Sequence, residues 1–338
     1  MKVRLLDGWE QVGKSAWDQL WAASSVTGLF LTWQWMTAWW ATFGQSAHLR
    51  LLGVEDDEGG LVGLLPLFST GQGEPLSVVG GVEISDYLDL VVLRGHEHAA
   101  WSALVQHLAA ERARLDLHCL PAGSSTLRVL PELARAAGFS VSVELEERCP
   151  IIDLPDSWDT YLDRLTGKAR HEILRKRRRL ERLLPDITVR VHRTTERLDE
   201  QMTAFLALHR KSRRKKTQFM DASMEQFFRT IAREFASVGW LRLWFLEARA
   251  EPLAALLCFD DGVTVSLYNS GYDPERSAFA PGIVLTSYAI SGAIGEGRRR
   301  FDFLRGEEPY KYAFGATPED VMRITIAPRA MGEPEREL

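Results

Sequence analysis

FDFLRGEEPYKY, residues 301–312, carries most of this chain's information. Phe301 and Phe303 flank Asp302 in the alternation of a half-buried strand, Gly306 closes the run, and Pro309 blocks its simple continuation. Asp302, Arg305, Glu307, Glu308, Tyr310 and Lys311 are therefore expected to crowd the C-terminal rim of a strand, which is where open α/β sheets bind ligands. An edge strand followed by a solvated acidic turn would show the same spacing.

Outward from this block, the second half of the chain reads as alternating elements. A long helix from Ser157 towards Leu184 has Asp156 or Ser157 as N-cap and Pro185 just past its end. A strand is expected at 187–192 and helices around 196–211 and 224–236. Strands follow at 241–247, 253–259 and 263–269, then a Pro/Gly-containing loop at 273–282, a helix to about Gly295, and strands at 300–304 and 322–327. The first half opens with a Trp-rich helix pair around 17–40. A hairpin of strands 48–54 and 61–68 crosses the acidic turn 55–60, apolar segments lie at 76–79 and 87–93, and helices are expected at 97–115 and 126–137, the latter stopping at Gly138. The pattern alone gives an α/β (α+β) chain with mixed sheets in two domains.

Composition narrows the function. The chain of 338 residues is 46% hydrophobic with a formal net charge of −5, enough to bury a sizeable core and contrary to generic attraction to DNA or membranes. The N-terminus lacks a signal-like apolar core and no apolar run approaches the ~20 residues of a membrane span, so a cytoplasmic location is expected. Cys119, Cys149 and Cys258 are widely spaced, suggesting buried thiols and neither a disulfide framework nor a zinc site. No metal is expected, and no Walker loop, HExxH pair, GxSxG elbow or dinucleotide fingerprint is present.

The run from Asp302 to Lys311 resembles the signature near the C-terminus of the FemAB/CelD-type acyltransferases of the GNAT superfamily. Phe30 to Gly44, Asp86-Tyr87-Leu88-Asp89, the Arg-rich helix from Lys168, Tyr272-Asp273-Pro274 and Pro281-Gly282 are similar to further family segments, in the family's order. The resemblance implies two GNAT-like lobes in tandem: a degenerate N-terminal one at 1–156, and a better preserved C-terminal one at 157–338 that includes the basic linking helix 157–184. It also implies an acyl-CoA donor, acetyl-CoA first, or an aminoacyl-tRNA as the alternative. In GNAT enzymes a strand-to-helix junction holds the donor's pyrophosphate on backbone amides. Here that junction contains Arg276, Ser277, Ala280 and Gly282, with Asn269 on the preceding strand. Pro281 suits a first helical turn, and the usual Gln/Arg-x-x-Gly-x-Gly/Ala loop is not present in clean form.

Acyl transfer to an amine requires a neutral nucleophile, stabilisation of an oxyanion and protonation of the leaving group. Glu307, Glu308 or Asp302 suits the first task, Lys311 or Arg305 the second and Tyr310 the third. In the resembled family the lysine of this block faces the acyl group, which makes Lys311 the first choice. Any of these residues also fits a rim ion pair, Arg305 with Glu307 foremost. On the basic helix, Lys176 and Arg177 interrupt an apolar stripe and Arg170 lies at its edge. An acidic side chain or an anionic ligand should meet them, and Arg170 and Arg177 are candidate contacts to the acceptor or a tRNA end. Asp86, Tyr87 and Asp89 suit either an acceptor site or a turn, and Trp35 either the core or a substrate wall.

The favoured function is acyl transfer to an amine or hydroxyl of a small or carrier-bound acceptor, in cell-envelope, exopolysaccharide or natural-product biosynthesis. A FemAB-type aminoacyl-tRNA-dependent peptidyl transferase and a non-catalytic partner-binding subunit are the alternatives, and the sequence leaves the oligomeric state open.

Overall fold

A computed structural model describes residues 1–26, 28–184, 186–212 and 214–329, excepting the side chains of 214–216. Pro185, Arg213 and the side chains of Arg214, Lys215 and Lys216 lie outside the described residues. The chain divides into two compact units, 1–147 with 320–338, and 148–319. This differs from the expected division at 156/157 because the chain passes between units within two strands, β7 (Phe139–Asp153) and β13 (Thr317–Pro328).

The first unit starts with β1 (Lys2–Leu6), α1 (Lys14–Ala22) and α2 (Trp33–Phe43). It continues with β2 (His48–Glu55), β3 (Leu61–Ser69), β4 (Ser77–Val78) and β5 (Val91–Val92). Next come α3 (Glu97–Ala110), β6 (Leu115–Pro121) and α4 (Ser125–Ala136). Antiparallel strands lie in the order β1-β2-β3-β4, and β5 also pairs with β3. The expected hairpin is β2–β3. The helix expected at 97–115 stops at Ala110, because 115–121 forms β6, which pairs antiparallel with residues 321–326 of β13. The Trp-rich helices fill this unit's core: Trp17 and Trp35 are fully buried.

In the second unit the single long helix expected from 157 to 184 is two, α5 (Trp158–Arg164) and α6 (Gly167–Leu183). Ser157 caps the first and Thr166 the second through its own side chain, with Leu165 extended between them. A capping hydroxyl accepts an amide hydrogen that a helix start leaves unpaired, so a Thr followed by Gly starts a new helix here. Then follow β8 (Ile187–His192), α7 (Leu198–Ser212), α8 (Arg214–Phe219) and α9 (Ala222–Ser237). The stretch between the helices expected around 196–211 and 224–236 is thus itself helical from Arg214 to Phe219. The last elements are β9 (Leu241–Ala248), β10 (Glu251–Asp260), β11 (Thr264–Tyr272), α10 (Pro281–Gly295), β12 (Arg300–Asp302) and α11 (Pro309–Ala313).

Strands lie in the order β7-β12-β11-β10-β9-β8, with β11 and β12 parallel and the other neighbours antiparallel. β11 and β12 share only three register positions, ending at Ser266 opposite Asp302, while β11 runs on to Tyr272. On its other edge β11 stays paired with β10, after a bulge in which Tyr268 is the extra residue. A bulge bends a strand and increases its twist. β11 therefore parts from β12 and opens a V at residues 267–272. Gly271 permits close packing beneath it: a Cβ there would stand 2.4 Å from the His209 amide nitrogen of α7.

Candidate active site

The V opens on a cleft of about 290 Å³. One wall is the free end of β11, Ser270-Gly271-Tyr272; another is the start of α10, Ala280 to Ile283; Glu308 and Tyr310 close the far side. Ala280 adopts a left-handed conformation (φ 49°) as the N-cap of α10, and no side chain caps this helix end. Pro281 has no N–H, so the first amides offered are those of Gly282 and Ile283. Such amides, with the helix dipole, favour an anion. The nearest atom to a Cβ built on Gly282 is a Tyr272 ring carbon at 4.0 Å. Of the residues expected to hold a donor, Ser277, Ala280 and Gly282 line the cleft. Arg276 is exposed on the preceding 3-10 turn, and Asn269 lies one residue before the lining stretch with its own Oδ1 accepting from the Ser270 amide. Lys211, at the end of α7, fixes that turn through Asp273, at 3.0 Å.

The 301–312 block separates into distinct parts. Asp302 is buried and accepts from the Leu304 amide at 2.7 Å, shaping the bend where Leu304 takes φ 57°. Lys311 is also buried, and its Nζ donates to the carbonyls of Leu304, Arg305 and Gly306 at 3.1, 2.7 and 2.9 Å, with Glu308 Oε2 at 3.0 Å. All of the ammonium's donors are therefore committed to holding loop 304–308 in shape. The expected pairing of Arg305 with Glu307 is replaced: Glu307 accepts from Tyr312 Oη at 3.0 Å and pairs with Arg148 at 3.6 Å. Of the block's candidate residues, Glu308 and Tyr310 reach the cleft, whereas Asp302, Arg305, Glu307 and Lys311 are not among its lining residues.

The remaining expected residues fall elsewhere. Trp35 is fully buried, with Nε1 donating to Ser85 Oγ at 2.9 Å, and belongs to the core instead of a wall. Asp89 is buried beneath the Ser124 and Thr126 hydroxyls and the Leu90 amide, a structural carboxylate whose burial pushes its pKa up to about 6. Asp86 is buried, and Tyr87 packs edge-on to Phe30. Arg170 pairs with Asp163. Arg177 stacks over Tyr288 at 3.9 Å and Trp158 at 5.5 Å, so aromatic faces meet this inward charge where an acid or an anion was expected. Tyr288 in turn donates to Glu181 at 2.7 Å.

A second cavity of about 430 Å³ adjoins the first, the two sharing Ile283 and Tyr310 as lining residues. α6 supplies one of its sides and α11 another. Sequence reasoning missed Ser270, Gly271 and Ile283 as lining residues; the small pair just before Tyr272-Asp273-Pro274 was the available signal, since a strand end approached by a ligand favours small side chains. Among the described residues no group of three or more His, Cys, Asp or Glu is placed to hold a metal ion, and no helix is long and apolar enough to cross a membrane.

Residues 167–312 match the family model described as acetyltransferase (GNAT) domain. No curated protein sequence matches. Among solved structures, FemX aligns over 96% of this chain and 97% of its own with a TM-score of 0.66 at 12% identity. L-PGS from Bacillus licheniformis aligns over 96% and 94% with a TM-score of 0.57 at 12% identity. A tandem GNAT protein from the clavulanic acid biosynthesis pathway aligns over 98% and 99% with a TM-score of 0.50 at 14% identity.

Proposed function

We propose, for a chain that has the FemAB-type tandem GNAT fold and whose residues 167–312 carry an acetyltransferase (GNAT) domain, that it transfers an acyl group from acyl-CoA to the amine, or less readily the hydroxyl, of a small or carrier-bound acceptor. The unit of residues 148–319 is the catalytic lobe, and the unit that begins at residue 1 is its degenerate counterpart. The observation that carries this reading is the opening between β11 and β12, faced by the uncapped start of α10 and closed by Glu308 and Tyr310. The Gly282 and Ile283 amides hold the donor's pyrophosphate, and the thioester lies along the free edge of β11, whose backbone N–H groups suit a developing oxyanion. Glu308 takes the proton of the acceptor ammonium, directly or through water, and Tyr310 protonates the departing thiolate. Lys311 acts on this chemistry as a positioning residue: it fixes the loop that presents Glu308.

Titration calorimetry with coenzyme A, acetyl-CoA and a long-chain acyl-CoA tests the donor. Heat of binding from at least one of them is expected, and its absence from all three overturns the reading. A second reading, an aminoacyl-tRNA donor for cell-envelope peptide synthesis, is favoured by Arg178, Arg179 and Arg182, which leave α6 with an exposed basic face. It predicts RNase-sensitive activity and affinity that falls steeply with salt.

A further inference from the structure

We propose that the second cavity holds the acceptor, and that this acceptor is an amine bearing a carboxylate or phosphate gripped by Lys168 and Lys176. The inference rests on the donor reading above for the orientation of the two cavities, and deepens it by naming the acceptor's chemical class.

Lys168, Glu172 and Lys176 recur every four residues on α6, so they lie along one face of that helix, and all three line the cavity of about 430 Å³. That volume suits a small molecule. The charges on this face do not cancel internally. Arg175 forks onto both Glu172 oxygens, at 2.8 and 2.6 Å, and holds that carboxyl below the usual carboxylate range. Lys176 also acts on this carboxylate, but its two oxygens are committed to an arginine that is not among the cavity's lining residues, and two lysines against one glutamate leave this face net positive. Neither Lys168 nor Lys176 has an ion pair among the described residues, and Lys176 is half-buried. Unpaired ammonium groups at the wall of a cavity favour an anion, most at half-buried Lys176, where enclosure weakens solvent screening, and less at Lys168, which is exposed. The other side is apolar and aromatic, formed by Pro309, Tyr312 and Phe314, and accommodates the body of a ligand. Tyr310 and Ile283 border both cavities. An acceptor anchored at the lysines therefore extends its amine towards Tyr310, the side from which the acyl carbon is approached. The exposed Arg178, Arg179 and Arg182 are absent from this lining, which separates the cavity from the general basic face of α6.

The test compares wild type with K168Q/K176Q by calorimetry, using β-alanine, 2-aminoethyl phosphate and butylamine as acceptor probes and coenzyme A and succinyl-CoA as donor probes. Thermal melts check that both proteins are folded equally, and the milder single variants K168Q and K176Q replace the double one if it melts early. The expected result is that wild type binds at least one anionic amine at least ten-fold more tightly than butylamine. The double variant loses at least ten-fold of that affinity while keeping its coenzyme A affinity within two-fold. The two anionic probes distinguish a carboxylate from a phosphate. Wild type that binds neither anionic amine, or variants that bind them as wild type does, overturns the proposal. A loss confined to succinyl-CoA also overturns it, by assigning the lysines to an anionic acyl group. Coenzyme A binding to wild type is read separately, so failure of the donor reading is distinguished from failure of this one.

Discussion

Replacing Lys311 with Met keeps a long flexible side chain while removing the ammonium that three carbonyls and Glu308 surround. Leu304, Arg305 and Gly306 would each lose a charge-assisted hydrogen bond, at about 1 kcal/mol or somewhat more apiece for buried or partly buried acceptors. The ion pair with Glu308, which is 42% exposed, adds only about 0.5 kcal/mol after solvent screening. Relief from burying an ammonium returns part of this. A net destabilisation of about 2–4 kcal/mol is expected, corresponding to a fall in Tm of roughly 5–15 °C in a unit of this size. Because the loop that presents Glu308 loosens with it, turnover falls as well. Thermal and urea unfolding of Lys311→Met measure the stability, and steady-state kinetics on the identified substrate measure the activity. A variant with unchanged Tm and abolished turnover would refute the reasoning: Lys311 would then act on the reacting group, and the four contacts to its ammonium would contribute nothing to the fold.

Gly271→Ala is expected to cost about 3 kcal/mol, since its Cβ would meet the His209 and Leu208 backbone at 2.4–2.7 Å and no side-chain rotation relieves that; urea unfolding checks it. Gly282→Val should weaken coenzyme A binding at least ten-fold by filling the cleft in front of the α10 amides, with Tm changed by no more than a few degrees, as read by calorimetry and thermal melts. Asp89→Asn tests the buried carboxylate. Burial raises its folded pKa to about 6, above the unfolded value of about 3.9, so the folded state takes up the proton first as pH falls. The associated stability is complete below about pH 4 and is lost as pH rises through about 6. The unfolding free energy of wild type relative to Asp89→Asn should therefore fall by roughly 2–3 kcal/mol between pH 4 and 6.5. A pH-independent difference would show that Asp89 does not titrate in the native protein.

Sequence alone determined the elements whose pattern is local. The β2–β3 hairpin was legible from two alternating runs across an acidic-Gly turn, and α10 from its Pro and Gly start, because turn and cap chemistry act over a few residues. The 301–312 block was legible as a dense polar segment at a strand's end, and Glu308 and Tyr310 do border the cleft there. Tertiary structure decided what periodicity does not encode. β6 and β7 went unread because their pairing partners are distant in sequence, β13 for the one and β12 for the other. Asp89 and Trp35 sit in polar or aromatic motifs that suit a site equally well, and only packing turned them inward. The sharpest case is Lys311. Its position beside the cleft follows from the sequence, but the direction of its ammonium depends on backbone dihedrals at Leu304 and Gly306 that bring three carbonyls around one nitrogen. A linear pattern specifies which groups are neighbours along the chain, whereas the partners that satisfy a buried charge are fixed by the three-dimensional path of the loop around it.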